Sequence, residues 1–135
     1  MQTNAYSRYQ EQSVMTMTRA DMLLKLYDET VKQLHNGVHF IKEKDMASAD
    51  KCLQKAQNIL QYLSSTLDRK YPISNNLASL YRFFKDQIMA ASIHRDTKPL
   101  ESITPMISEL RDAFAQADKQ LRIEQQPQHS SEMIG

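Results

Sequence analysis

Apolar residues recur at every third or fourth position in four separate stretches of this 135-residue chain. That spacing places them along one side of an α-helix, so it predicts four amphipathic helices. Glycine occurs only twice, which is few for a protein built from tight turns and short strands. The spacing therefore predicts an all-α protein with a single core.

Local signals set the expected limits of the first two helices. The first should open at Thr18, a suitable N-cap with Asp21 three positions later, and run to about Lys44. Asp45 is the predicted N-cap of the second helix, which should end near Asp68. The connection between these helices is then short, which favours antiparallel neighbours.

The starts of the last two helices are less well defined. Either Ser74 or Asn75 can cap the third helix. Pro105 lies well inside the apolar pattern of the fourth helix, where proline removes a hydrogen-bond donor. Two alternatives follow: Pro105 kinks the helix, or Thr104 caps its main portion and Pro105 is the first helical residue.

The fold class predicted from these patterns is an antiparallel, up-down four-helix bundle. Residues 18–123 should form the bundle. Residues 1–17 are polar with scattered apolar groups and are expected to form a short N-terminal arm. Residues 124–135 have the composition of a disordered tail.

The charge balance excludes several classes of protein. Seventeen basic and sixteen acidic residues nearly cancel, which does not fit a nucleic-acid-binding surface. The chain has no apolar run at its start and no stretch of 18 apolar residues, so we expect no membrane insertion and a cytoplasmic location.

Residues suited to catalysis or metal binding are sparse. His35, His39 and Glu43 are spaced four apart on one face of the first helix, but no other helix offers a matching pair of ligands. Cys52 falls on the core side of the second helix, where a buried, inert thiol is expected. We therefore expect no enzyme activity, no metal and no cofactor.

The first and third helices carry more apolar residues than one core-facing side needs. On the third helix, Phe83 lies to one side of the core positions, and Met89 and Ile93 lie on the other side or the back. The first helix has further apolar residues beside its core positions: Met22, Leu24, Val31 and Phe40. The second and fourth helices have a largely polar remainder. Such a surplus suggests a surface that a partner covers, although contact with two neighbouring helices also widens an apolar face.

Four segments together resemble the flagellin export chaperones, the FliS family. Residues 5–34 read AYSRYQEQSVMTMTRADMLLKLYDETVKQL, in which a tyrosine-bearing arm precedes a Leu-rich helix containing Tyr27-Asp28. The second and third segments read KAQNILQYLSSTLD at 55–68 and ISNNLASLYRFFKDQIMAA at 73–91. The fourth, LESITPMISELRDAF, is similar in layout. The likeness covers about residues 5–122.

The resemblance implies a cytoplasmic chaperone that binds the C-terminal region of flagellin, prevents premature polymerisation and assists delivery to the flagellar type III export gate. Recognition would then place an amphipathic cargo helix in a groove of the bundle. The alternative is a non-enzymatic adaptor or a self-associating regulatory bundle. The candidate partner-binding residues are Tyr6, Tyr9, Leu24, Tyr27, Val31, Tyr81, Phe83, Met89 and Ile93.

Overall fold

The computed structural model describes residues 18–125, and these residues contain four α-helices and no strand. The helices are α1 (Arg19–Lys42), α2 (Met46–Ser65), α3 (Ile73–His94) and α4 (Lys98–Gln125). The prediction of an all-α helical bundle is confirmed. The predicted arm and nearly all of the predicted tail lie outside the described residues, and α4 extends two residues beyond the predicted boundary at 123.

The predicted N-caps of α1 and α2 are confirmed. Thr18 Oγ1 accepts a hydrogen bond from the Asp21 amide at 3.1 Å, and the Asp21 carboxylate accepts one from the Thr18 amide at 3.4 Å. The Asp45 carboxylate accepts a hydrogen bond from the Ser48 amide at 3.1 Å. Each cap pairs an amide of the first turn that has no partner within the helix.

The predicted N-cap of α3 is wrong. The helix begins at Ile73, directly after Pro72, whose φ and ψ of −56° and −35° are already helical. Because proline fixes φ near this value, Pro72 starts the helix without a side-chain cap. Ser74, one of the two predicted caps, lies inside the first turn. Its hydroxyl donates a hydrogen bond to the Asp68 carbonyl oxygen.

Pro105 lies inside α4, which excludes the alternative in which Thr104 caps a shorter helix. Thr104 is buried, and its hydroxyl donates to the Leu100 carbonyl oxygen at 2.7 Å. A proline in the interior of a helix destabilises that helix by about 3 kcal/mol. Burial of Ile103 and Ile107, which flank it, contributes about 1.5–3 kcal/mol each and offsets that cost.

The described residues fall into two compact units, one of residues 26–111 and one that includes residues 18–25 and 112–125. The unit of residues 26–111 contains parts of all four helices. Its core is made of large apolar side chains from each helix, each less than a tenth exposed. These are Tyr27, Leu34, Ile41, Leu53, Leu60, Leu63, Leu77, Tyr81, Phe84, Ile88, Leu100, Ile103 and Ile107.

Helices α2 and α3 pack antiparallel in this unit. Gln57 Nε2 donates to the Lys85 carbonyl oxygen at 3.0 Å, and Ser92 Oγ donates to Asp50 Oδ1 at 3.0 Å. The residue number rises on one helix as it falls on the other, as the short connection predicts. These polar contacts hold the outer edges of the two helices together.

Helices α1 and α4 also run antiparallel in the same unit. Arg111 Nε lies 3.0 Å from Asp28 Oδ1, and Lys42 Nζ lies 3.6 Å from Glu101 Oε1. Both pairs are exposed, so each contributes at most about 1 kcal/mol. Their positions show the antiparallel pairing of the two helices.

At Gly37 the backbone of α1 lies close to side chains of α2 and α4. A Cβ atom at this position would lie 2.8 Å from Leu53 Cδ2 and 3.6 Å from Leu100 Cδ1. Glycine therefore lets the Leu53 side chain of α2 pack closely against the backbone of α1, although glycine is less favourable than alanine inside a helix.

The second unit joins the start of α1 to the end of α4. Arg122 Nη2 lies 3.3 Å from both Thr18 Oγ1 and Asp21 Oδ1, and Arg122 Nε lies 3.1 Å from Asp118 Oδ2. Leu121 follows Ala117 by four positions, in the apolar spacing of α4, but its side chain is exposed. The described part of this unit has only two short helical segments, which cannot cover every apolar position of α4.

Candidate functional site

Two clefts of similar size flank α3 in the unit of residues 26–111. The first, which we call the α3–α4 cleft, has a volume of about 290 Å³. Its lining is Leu80, Phe84, Met106, Glu109 and Leu110. Four of these five side chains are apolar, so the cleft offers a mostly hydrophobic floor and walls.

The edge of the α3–α4 cleft carries exposed apolar groups. Met106 is 37% exposed. Phe83 is 40% exposed and its ring centroid lies 6.0 Å from that of Phe84, which lines the cleft. Apolar side chains clustered beside a hydrophobic cleft are typical of a surface that another chain covers.

The second cleft, which we call the α2–α3 cleft, has a volume of about 300 Å³. Its lining is mixed: Asp50, Leu53, Gln54, Gln57, Ile88, Met89 and Ser92. The hydrogen bonds from Gln57 to Lys85 and from Ser92 to Asp50 already connect the helices along this cleft. An occupant of this cleft must match these polar groups as well as cover the apolar side chains.

Two of the predicted partner-binding residues are core residues. Tyr27 is fully buried and Tyr81 is 2% exposed, and their hydroxyl groups share a hydrogen bond between α1 and α3. Burial raises the pKa of both hydroxyls above their ordinary value, and the shared hydrogen bond raises that of Tyr27 further. A partner cannot contact these side chains without opening the core, so they are not part of the candidate surface.

The other three predicted residues on α3 do not form one surface. Relative to Phe84, Phe83 lies about 100° to one side and Met89 about 140° to the other, while Ile93 lies about half a turn away. Met89 lines the α2–α3 cleft, and Phe83 lies beside Phe84 of the α3–α4 cleft. All three are exposed, as predicted, but only Phe83 lies next to the apolar cleft.

The other predicted residues belong to α1 or to the arm. Leu24 and Val31 are both half-buried. Leu24 belongs to the unit that includes the start of α1, and Val31 to the unit of residues 26–111. Tyr6 and Tyr9 lie outside the described residues.

The second and fourth helices, predicted to have a largely polar remainder, also carry some exposed apolar side chains. Tyr62 of α2 is about half exposed, as are Leu121 and Ile123 of α4. Met106, which lines the α3–α4 cleft, is the functional candidate that sequence reasoning missed. It follows the buried Ile103 by three positions, so its place beside the core was visible in the pattern.

No group of three metal-ligating side chains occurs within residues 18–125. His35, His39 and Glu43 are exposed on or just after α1. Cys52 is half-buried and not fully buried as predicted, because it lies at the edge of the core positions of α2. In the same range, no helix is both long and apolar enough to cross a membrane.

The geometry is suited to recognition of an apolar helix face. Glu109 is the single ionisable side chain in the lining of the α3–α4 cleft, and the other four are hydrocarbon, aromatic or thioether groups. Burial of such surface is non-directional and favourable, and flexible methionine adapts to irregular partners. The cleft can therefore hold apolar side chains of a helical segment.

Comparison with known proteins identifies the family. The family model described as flagellar protein FliS matches residues 2–121. The flagellar secretion chaperone FliS of Bacillus subtilis (strain 168) is 32% identical over 128 residues, covering 95% of this chain and 94% of that protein. The flagellar secretion chaperone FliS of Escherichia coli (strain K12) is 24% identical over 119 residues, covering 85% and 88%.

A crystal structure of a bacterial flagellar chaperone has the same fold. Its TM-score is 0.72 at 19% identity, and the match covers 89% of this chain and 99% of that one. The family match spans most of the chain, as the sequence resemblance implied. The chain therefore belongs to the FliS family, whose members include flagellar secretion chaperones.

Proposed function

We propose that this protein is a cytoplasmic export chaperone that binds the C-terminal region of flagellin in the α3–α4 cleft. Binding prevents premature polymerisation of flagellin and assists its delivery to the flagellar type III export apparatus. The role needs no catalytic group, cofactor or metal. It depends on an apolar surface that a cargo segment covers until export.

The observation that carries this proposal is the apolar lining of the α3–α4 cleft in a member of a chaperone family. Leu80, Phe84, Met106 and Leu110 supply the lining, and exposed Phe83 extends it outward. The relatives are named flagellar secretion chaperones, which supports a cargo that the flagellar apparatus secretes. The flagellin C-terminal region is the cargo implied by the family resemblance.

A cargo segment that folds as it binds must offset the cost of becoming ordered. Each large apolar side chain that becomes fully buried contributes about 1.5–3 kcal/mol. Ordering the backbone of a flexible segment costs about 1–2 kcal/mol for each residue fixed. A cargo segment that forms a helix satisfies its own backbone hydrogen bonds and places every third or fourth side chain in the cleft.

Calorimetry and far-UV circular dichroism of the protein mixed with a flagellin C-terminal peptide test the proposal. We expect stoichiometric binding and a helical signal greater than the sum of the separate components. No heat of binding and an additive spectrum would contradict it. Concentration-dependent self-association in sedimentation, together with no peptide binding, would favour the self-associating alternative.

A further inference from the structure

Two exposed apolar side chains lie at the start of α3, beyond the α3–α4 cleft. Tyr71 is 57% exposed and Ile73 is 59% exposed. They are separated only by Pro72, whose ring fixes the backbone between them. A single exposed apolar residue needs no explanation, but this pair projects from one short, constrained segment.

Hydrogen bonds fix the conformation of this segment. The Asp68 carbonyl oxygen accepts from the Tyr71 amide at 3.2 Å and also from the Ser74 hydroxyl. Asp68 Oδ1 accepts from the Lys70 amide at 3.0 Å. Because this segment is already ordered, it loses little further conformational entropy when a partner docks on it.

Ile73 lies on the same edge of α3 as the cleft residue Leu80. Seven residues complete almost two turns of an α-helix, so the two side chains project within about 20° of each other. Their separation along the helix axis is about 10 Å. Ile73 therefore continues the apolar wall of the α3–α4 cleft by about two turns toward the start of α3.

The same segment carries positive charge. Lys70 Nζ lies 5.9 Å from the centroid of the Tyr71 ring. Arg69 donates to Asn75 Oδ1 at 3.2 Å, which holds its guanidinium beside the first turn of α3. Asp68 is the single acidic residue between positions 66 and 79, and its carboxylate accepts a backbone hydrogen bond. A partner group near Tyr71 is thus favoured when it is acidic.

We propose that Tyr71 and Ile73 form a second anchor of the cargo-binding surface, with Lys70 favouring an acidic residue at that end of the bound helix. The anchor and the charge together fix the orientation of the cargo helix along α3. This inference rests on the proposed function. Its occupant is one amphipathic helix that spans the cleft and the anchor, because the two lie in line on one edge of α3.

Serine variants of matched isoleucines test the anchor. Ile73→Ser should weaken binding of the flagellin C-terminal peptide about 5- to 10-fold, as expected for losing part of one buried side chain. Ile93→Ser is the control, since Ile93 is 66% exposed on the side of α3 away from the cleft. It should leave affinity unchanged. Tyr71→Ser provides a second variant in the preceding loop and should act as Ile73→Ser does.

Modified peptides test the orientation. One peptide carries two added glutamates at the N-terminal end of the flagellin segment, and a second carries them at the C-terminal end. Peptides with two added glutamines in the same places are the neutral controls. One acidic peptide should bind at least about threefold more tightly than the other at low salt, and Lys70→Gln should remove that preference. Equal affinity of both acidic peptides, or a preference retained by Lys70→Gln, would overturn the orientation.

The outcomes separate this inference from the function on which it rests. If the wild-type protein does not bind the flagellin peptide, both are overturned. Normal binding by the wild-type protein and by both the Ile73→Ser and Tyr71→Ser variants overturns the anchor alone. The anchor is also overturned if these variants bind the peptide normally but no longer adsorb to anionic phospholipid vesicles, since the loop then contacts lipid.

Discussion

The two clefts beside α3 are nearly equal in volume but differ in the side chains that line them. The α2–α3 cleft has four polar side chains in its lining, and hydrogen bonds from Gln57 and Ser92 link its two helices. The lining of the α3–α4 cleft has one polar side chain, Glu109, and four apolar side chains. Volume alone therefore does not identify a binding site. An occupant gains most where it covers apolar surface without displacing existing hydrogen bonds.

The largest expected effects come from the residues beneath the two clefts. Phe84 lines the α3–α4 cleft and Ile88 lines the α2–α3 cleft, and each is 1% exposed. Phe84→Ala should lower the free energy of unfolding by about 3–5 kcal/mol, and Ile88→Ala by about 2–5 kcal/mol. Urea unfolding measures both. Under conditions where both variants are folded, only Phe84→Ala should weaken binding of the flagellin peptide; equal weakening by Ile88→Ala would break the distinction between the clefts.

A smaller effect is expected from the buried tyrosine pair. Tyr27→Phe removes the partner of the Tyr81 hydroxyl and should lower the free energy of unfolding by about 1–3 kcal/mol. The double variant Tyr27→Phe/Tyr81→Phe should lower the free energy of unfolding by less than the sum of the decreases in the two single variants. The reason is that it leaves no buried hydroxyl group at either position. Additive costs in urea unfolding would show that the pair is not coupled.

The same pair predicts loss of stability in alkaline solution. Burial raises the pKa of both hydroxyls above the ordinary value of 10.0, so the folded protein keeps protons that the unfolded chain releases. The stabilisation is complete below pH 10 and falls above it, by up to about 1.4 kcal/mol per pH unit for each tyrosine. The double phenylalanine variant should show a shallower decline between pH 9 and 11. An identical decline would contradict the predicted pKa shifts.

The smallest effect concerns the arm, which lies outside the described residues. If Tyr6 and Tyr9 cover the apolar cleft in the absence of cargo, they reduce apparent affinity by the fraction of time they occupy it. Burial of one such side chain contributes about 2 kcal/mol, which the cost of fixing one or two residues, about 1–2 kcal/mol each, already offsets. Deletion of residues 1–12 should leave the helical spectrum intact and peptide affinity equal or a few-fold higher. Loss of binding with an intact fold would show that the arm is part of the site.

Local chemistry explains which parts of the fold were predictable. The caps at Thr18 and Asp45 depend on side chains and amides within three residues of each other, so the sequence pattern contains the whole interaction. The start of α3 depends on Ser74 bonding back to Asp68 across the loop, which no periodic pattern reports. Pro105 stays helical because tertiary burial on both sides outweighs a local penalty.

The candidate site was less predictable for a geometric reason. The angular position of Phe83, Met89 and Ile93 on their own helix follows from the sequence, and the structure places them on different sides as predicted. Which edge faces α2 and which faces α4 depends on the packing of the whole unit. For the same reason Met106, on a different helix, could not be assigned to the surface beside Phe83.

The central claim is that the α3–α4 cleft, and not the α2–α3 cleft, receives the cargo. Calorimetric titration of the flagellin C-terminal peptide into two matched double variants tests it most directly. All four substituted side chains are exposed, so both variants should fold: Phe83→Ser/Met106→Ser and Met89→Ser/Ile93→Ser. We predict that the first loses at least about tenfold in affinity, as expected for two partly buried anchors, while the second binds as the wild type does. Unchanged affinity in the first variant with weakened binding in the second would contradict the account.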